Sequence, residues 1–208
     1  MSPADHEHSS NLGPVLEKIW DQLEEAVTRR AHSFHLPVLT TIGLNGIPDA
    51  RVVVLRSAAR QHCCISCHTD SRSPKAIQLV RCAHATWVFY DHQQRIQVRV
   101  SGQTSIAGVD GSEAAINAWN NVSQSERQSY LGPHPPSQRA SQPTSNLPAG
   151  MPGRAPTEQE IQFAKQNFRL ITTHINRIDW LWLRDEGHRR AMFEWDESGR
   201  SSAHWLEP

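Results

Sequence analysis

Residues 95–104, RIQVRVSGQT, place Ile96, Val98 and Val100 in strict alternation with Arg95, Gln97 and Arg99. A period of two puts each set on its own side of an extended strand, giving one apolar and one polar face. ATWVFYDH (85–92) precedes it as the other arm of a hairpin. LPVLTTIGL (36–44) and IPDARVVVLR (47–56) are rich in β-branched residues, with Asn45-Gly46 between them. Both of those residues accept positive φ, so a tight hairpin is expected there. Gln61–His68 reads as a third strand. RLITTHINRIDWLWLR (169–184) reads as two strands, and RRAMFEWD and SSAHWLE as two short ones.

Helical spacing is confined to a few segments. Val15, Leu16, Ile19, Leu23 and Val27 recur at helical intervals between Leu12 and Arg30. SPKAIQLVR (73–81) opens on Ser73, a good N-cap, and Pro74, which suits the first helical position. GSEAAINAWNNV (111–122) and SQSERQSYL (123–131) are further helical segments. TEQEIQFAKQNF (157–168) begins with a Thr157/Glu160 capping box. Residues 132–156 are Pro, Ser and Gly throughout and form a long loop, a lid or a disordered segment. Strands dominate, helices are peripheral and no βαβ alternation occurs. The expected fold is a mainly β, small antiparallel barrel with helical additions. Its 208 residues suit one domain over 11–208, after a disordered tail at 1–10 in which His6-Glu7-His8 is flexible rather than a metal site.

Charge and targeting narrow the function. Lys+Arg and Asp+Glu number 21 each, so no net charge favours nucleic acid or an anionic membrane as partner. No apolar run approaches the ~20 residues that span a bilayer, and the polar N-terminal region shows no secretory signal. A cytoplasmic protein with reduced cysteines is expected.

The cysteine-rich stretch HCCISCHTDSRSPK (62–75) raises the question of metal or redox chemistry. On a strand, Cys64 and Cys67 point to opposite faces and cannot grip one ion, while Cys63 and Cys67 lie ~13 Å apart at ~3.3 Å per residue. A redox Cys-x-x-Cys would open a helix, and none is expected there. No metal site is expected, and the cysteines read as small apolar strand residues. The turn that follows, Thr69 to Lys75, leads into a helix N-terminus with Arg72 and Lys75 nearby. Unpaired N–H groups and the dipole's positive end suit a phosphate there, with solvated surface charge as the plainer alternative.

In order along the chain, RVVVLR (51–56), HTDSRSPKAIQL (68–79), RIQVRVSG (95–102) and HRRAMF…W…LEP (188–208) resemble the pyridoxamine 5′-phosphate oxidase family. They resemble most its related branch of FMN-binding split-barrel proteins of unsettled function. That resemblance implies a split β-barrel and a homodimer with FMN at the interface. Arg51, with the backbone of Val52, Val53, Val54 and Leu55, would contact the FMN phosphate or ribityl chain. His68 and Thr69 would stand near the cofactor, Ser73 and Lys75 would belong to its phosphate loop, and Arg72 would supply the charge displaced by Pro74. Gln97 would meet the polar edge of the ring, and Trp182 and Arg190 would make flavin contacts from the partner chain.

The pattern departs from the true oxidases at the substrate residues. Arg56 stands where they have a Lys, residues 119–137 do not reproduce their Tyr…Arg…Ser set, and the C-terminal Arg-x-His motif reads His188-Arg189-Arg190. The resemblance thus implies an FMN-dependent oxidoreductase with a rebuilt substrate site. Arg56, Arg127, His134 and Arg189 are the candidates for holding an anionic small-molecule substrate, and no residue is assigned as catalytic acid or base. A non-catalytic flavin-binding or sensor protein is the alternative from another class. Oxidation of the B6 phosphate esters, and haem handling suggested by the 12 histidines, are less favoured.

Overall fold

The computed structural model describes residues 11–151, 154–196 and 198–208. The expected tail, with His6-Glu7-His8, lies outside the described residues. Among them are α1 (Gly13–Thr28), β1 (Val38–Ile42), β2 (Pro48–Val52), β3 (Ser57–Ala59), β4 (Cys64–Asp70), α2 (Pro74–Arg81), β5 (His84–Asp91) and β6 (Ile96–Ala107). The chain continues through α3 (Glu113–Asn120), α4 (Gln124–Arg127), α5 (Glu158–Asn167), β7 (Phe168–Trp182), β8 (Arg189–Trp195) and β9 (Ser201–Leu206). The strands form one sheet in the order β2-β1-β5-β6-β7-β4-β3, with β8 paired to β7 and β9 to β8. The pairings β1–β2, β1–β5, β5–β6, β7–β8 and β8–β9 are antiparallel, as expected for a mainly β chain with peripheral helices.

Four details differ from the expectation. Ile42 pairs with Pro48, so the first hairpin has a wider loop over residues 43–47. Gly46 alone there takes positive φ, at 79°, while Asn45 uses its Oδ1 to accept from the Ile47 N–H. The third strand starts later, at Cys64, because Arg60–His62 form a 3-10 turn and Cys63 is left-handed at φ 45°. The short β3 carries no sequence signal, since Ser57-Ala58-Ala59 has little β propensity and is held by pairing with β4. Residues 169–182 form a single strand rather than two, because no Gly or Pro interrupts them.

Contacts divide the chain into two compact units. One comprises the described residues up to Cys67, with His84–Thr104 and those of Thr172–Pro208; the other comprises His68–Ala83 and the described residues of Ser105–Ile171. In the first, Ile19, Leu23 and Ala26 of α1 are buried, as are Leu39, Trp87, Phe89, Val98 and Val100 from the strands. Phe34 meets Phe89 with ring centroids 5.3 Å apart. The buried Trp87 indole donates to Thr173 Oγ1 at 2.9 Å, so its N–H is satisfied inside the core. The β5–β6 turn is set by Asp91, whose Oδ1 accepts from the N–H groups of Gln93 and Gln94, both at 2.9 Å. Burial would raise the Asp91 carboxyl, but these bonds outweigh it and hold it below the usual range.

In the second unit, Phe168 receives Trp119 and Tyr130 edge-on, each at 5.4 Å. Met151 joins this core, so the Pro/Ser/Gly-rich segment is anchored although its described residues contain no helix or strand. The Thr157/Glu160 capping box forms as expected. Arg154 and the Thr157 N–H together pull the Glu160 carboxyl down to about 2.

The tightest backbone approach is at Gly102 on β6, where an added Cβ would lie 1.9 Å from the His174 carbonyl oxygen. Backbone cannot step aside as a flexible side chain can. Gly102→Ala should therefore destabilise the protein by about 3 kcal/mol, whereas Gly111→Ala, which meets nothing within 4 Å, should change stability little. Urea denaturation of both variants checks this, and equal midpoints would contradict it.

Candidate functional site

The turn between β4 and α2 is built by short-range polar bonds. Thr69 and Ser73 are buried and their hydroxyls lie 2.8 Å apart. Ser73 holds the N-cap position of α2 as expected, but no side chain caps that helix, because its hydroxyl is turned to Thr69. The helix thus presents its N-terminal turn without a side-chain oxygen in the place an anion would take. Lys75 follows in the first turn. Asp70 is buried and holds Arg72 in a two-pronged pair, Nε to Oδ1 at 3.0 Å and Nη2 to Oδ2 at 2.7 Å. Arg72 Nη1 donates to the Gly132 carbonyl at 2.9 Å. The guanidinium therefore braces the turn, and its charge is matched by Asp70. His68 packs edge-to-face on Phe168 at 4.9 Å.

On the other unit, the expected alternation of β6 holds. Ile96, Val98 and Val100 are buried, while Gln97 and Arg99 are half-buried. Asp179, on β7, is almost fully buried and accepts from Arg99 and from Arg190 on β8, the latter through Nε at 3.1 Å and Nη2 at 2.8 Å. Burial alone would raise this carboxyl, but hydrogen bonds from Arg190 and then Arg99 outweigh it and hold it below the ordinary aspartate range. Trp182 pairs with Arg189 across β7–β8 and donates its indole N–H to the Gln94 carbonyl at 3.1 Å. Arg51, paired with Leu39 of β1, donates to Thr41 Oγ1 at 2.6 Å and forms an ion pair with Asp49 at 2.7 Å. Val52 is exposed, Val53 buried, and Val54 between the two. The Val53 and Leu55 N–H groups bond to the Pro37 and His35 carbonyls.

Of the four substrate candidates, Arg56 and Arg189 belong to the first unit, and Arg127 and His134 to the second. Arg56 uses its backbone N–H on Ser66. Arg127 lies over the Trp119 ring at 5.0 Å. His134 is tied by its backbone to the Asn146 side chain, at 2.8 and 3.2 Å. Arg189 lines a cavity with Trp180, Trp182 and Trp205. Cys64 and Cys67 both lie on β4, and burial pushes the Cys63 and Cys64 thiols up, opposite to the depressed value of a reactive thiol. Asp70, Asp179 and Arg99 are ion-pairing residues that the sequence alone does not assign. Asp179, an acid inside the apolar run INRIDWLWL, was the signal that an ion cluster lay there.

Asp179 yields a test. Asp179→Asn should cost about 2 kcal/mol near neutral pH, after discounting the partly exposed arginines, because it leaves two guanidiniums facing an uncharged group. Its native carboxyl is depressed, so its contribution is present above the unfolded value of about pH 4 and fades as pH falls through the lower native value. The gap between wild type and variant, read from denaturation curves across pH, should shrink in acid. A gap that stays constant would contradict the pairing.

Residues 17–108 match the family model described as pyridoxamine 5′-phosphate oxidase, FMN-binding domain. An Arabidopsis thaliana protein, pyridoxine/pyridoxamine 5′-phosphate oxidase 2, is 26% identical over 195 residues, covering 89% of this chain and 93% of its own. The crystal structure of a pyridoxamine 5′-phosphate oxidase-related, FMN-binding protein from Nostoc punctiforme superposes with a TM-score of 0.74 at 22% identity, over 96% of this chain and 98% of that one. PhzG from Burkholderia lata, solved with tetrahydrophenazine-1-carboxylic acid, gives 0.65 at 17% identity, over 100% and 98%. At those identities the two structures speak for the fold alone, and the fold is the one expected from sequence. The pyridoxamine 5′-phosphate oxidase, FMN-binding domain is thus matched over residues 17–108, and the chain shares its fold with the Nostoc punctiforme FMN-binding protein.

Proposed function

We propose that this protein is an FMN-dependent oxidoreductase acting on a small molecule, as a cytoplasmic homodimer. The observation that carries the reading is the extent of the FMN-binding domain match. Residues 17–108 enclose every residue assigned to the flavin except Trp182 and Arg190. The chemistry of those residues suits the cofactor. Lys75 at the uncapped start of α2, and Arg51, offer donors for a dianionic phosphate, the setting in which charge-assisted bonds are strongest. Gln97 presents an amide from the polar face of β6 to a ring edge that both donates and accepts. Trp182 has its N–H engaged by Gln94, so it would meet a flavin through its ring. Arg190 is oriented by Asp179 and keeps Nη1 outside that pair. Bound FMN would supply the electron transfer, and the protein would bind, orient and shield it.

Oxidation of a B6 phosphate ester is the second reading, favoured by the name of the Arabidopsis relative. Arg56 in place of the oxidases' Lys weighs against it. Oxygen consumption on adding pyridoxamine 5′-phosphate to the flavin-loaded protein would establish that reading; none would leave a different substrate.

Fluorescence titration of FMN and riboflavin into flavin-free protein tests the cofactor. A charge-assisted contact contributes about 1.5–3 kcal/mol, so Lys75→Ala and Arg51→Ala should each weaken FMN binding by about tenfold or more. Riboflavin, which lacks the phosphate, should bind wild type far more weakly than FMN, and both variants should lose most of that preference. Asp110→Ala and Glu158→Ala should change little. Wild-type affinity for FMN in both Lys75→Ala and Arg51→Ala would overturn the phosphate assignment.

A further inference from the structure

Within the Pro/Ser/Gly-rich segment, residues 134–146 close on themselves. Asn146 takes a left-handed backbone at φ 51°, and its side chain both accepts from the His134 N–H at 3.2 Å and donates to the His134 carbonyl at 2.8 Å. Chain ends held together in this way make an Ω-loop, a class often put to functional use. Gly132 seats the neck, since an added Cβ there would lie 2.5 Å from Asn146 Nδ2. Beyond the neck the loop is unsupported. It surrounds an open space of about 630 Å³ lined by its own residues. Residues 137–145 are all exposed, and among the described residues none of 139–143 makes a hydrogen bond or an ion pair.

Ser137, Ser141, Thr144 and Ser145 carry hydroxyls on this loop, and their settings differ. Thr144 Oγ1 accepts from the Asn146 N–H at 3.0 Å, and Ser145 Oγ from the Leu147 N–H at 3.4 Å. Ser137 sits in a left-handed turn at φ 68°. Ser141 combines ordinary backbone with a hydroxyl that makes no bond among the described residues. Arg139 stands two residues before it and Pro143 two after. Arg139 is the only charged side chain between His134 and Asn146, and no carboxylate side chain occurs from 132 to 156.

An enzyme that modifies a serine draws several residues of chain into its cleft in extended form, so it works where doing so breaks no bonds. An arginine just before the serine suits the carboxylates that line the clefts of basophilic protein kinases. The same spacing recurs at Arg127–Ser129 and Arg200–Ser202, and Ser33 follows Arg29 and Arg30. The fold withholds these serines: Ser33 and Ser129 lie in 3-10 turns, and Ser202 lies in β9.

We propose that Ser141 is a phosphorylation site for a basophilic serine/threonine kinase. In the transfer, Ser141 Oγ bonds to the γ-phosphorus of ATP, the bond from that phosphorus to the β-phosphate oxygen breaks, ADP leaves, and the hydroxyl proton passes to the kinase's catalytic carboxylate. The product adds about −1.5 to −2 of charge and reverses the sign of the loop. The inference goes beyond the flavin reading and does not depend on it, because Arg139 and Ser141 have no role in that reading.

The test incubates the full chain with MgATP and the catalytic subunit of cyclic AMP-dependent protein kinase, and reads the intact mass and the modified residue by mass spectrometry. One phosphate at Ser141 is expected, absent from Ser141→Ala and added about tenfold more slowly to Arg139→Ala. The heat-denatured chain should also take phosphate at Ser33, Ser129 or Ser202. Thermal melting of both variants should match wild type, which separates loss of the site from loss of the fold. No incorporation into the folded chain, incorporation at another serine in place of Ser141, an unaltered rate in Arg139→Ala, or the same set of serines modified in the folded and denatured chains would each overturn the proposal.

Discussion

Ile96, Val98 and Val100 leave β6 on one side, and Gln97 and Arg99 leave it on the other. That parity constrains much of the unit around it. The apolar side joins Trp87 and Phe89 in the core. The polar side brings Arg99 to Asp179, which also holds Arg190. A slip of one residue in β6 would drive Arg99 into the core and strand Asp179 as a buried charge without its partner, a penalty far larger than the loss of a few contacts. Register is therefore enforced twice, by apolar burial on one face and by ion pairing on the other.

The same parity separates two chemistries on β7 and β8. Asp179 and Arg190 share the face on which Gln97 would meet a flavin. Trp180, Trp182 and Arg189 share the opposite face and line the cavity under α1. Neighbouring arginines thus serve different surfaces: Arg190 is fixed by a carboxylate, and Arg189 stands at the wall of an aromatic cavity.

How far the sequence foretold this structure depends on the range of the interactions. The alternation of 95–104, the capping box at Thr157 and Glu160 and the helical spacing of 12–30 are local, and they reappear in β6, α5 and α1. The loop at 43–47 is wider than the expected tight turn because the pairing of Ile42 with Pro48 is settled across strands rather than by Asn45-Gly46. The continuity of β7 depends on neighbours on both sides. At the candidate site, the residues of the β4–α2 turn were legible as a polar run before a helix. Their arrangement was not, since Ser73 bonding Thr69 and Arg72 held by Asp70 are choices among several nearby partners. The cavity beside Trp180 and Trp205 could not be foreseen, because it arises from three strands placing two indoles either side of an alanine.

The central claim is that the polar face of β6 serves a flavin. A crystal structure of the protein grown with FMN tests it most directly. The expected result is an isoalloxazine ring whose polar edge is hydrogen-bonded to the Gln97 amide, with Asp179 still holding Arg190. Flavin bound elsewhere, or crystals without flavin at saturating FMN, would contradict it.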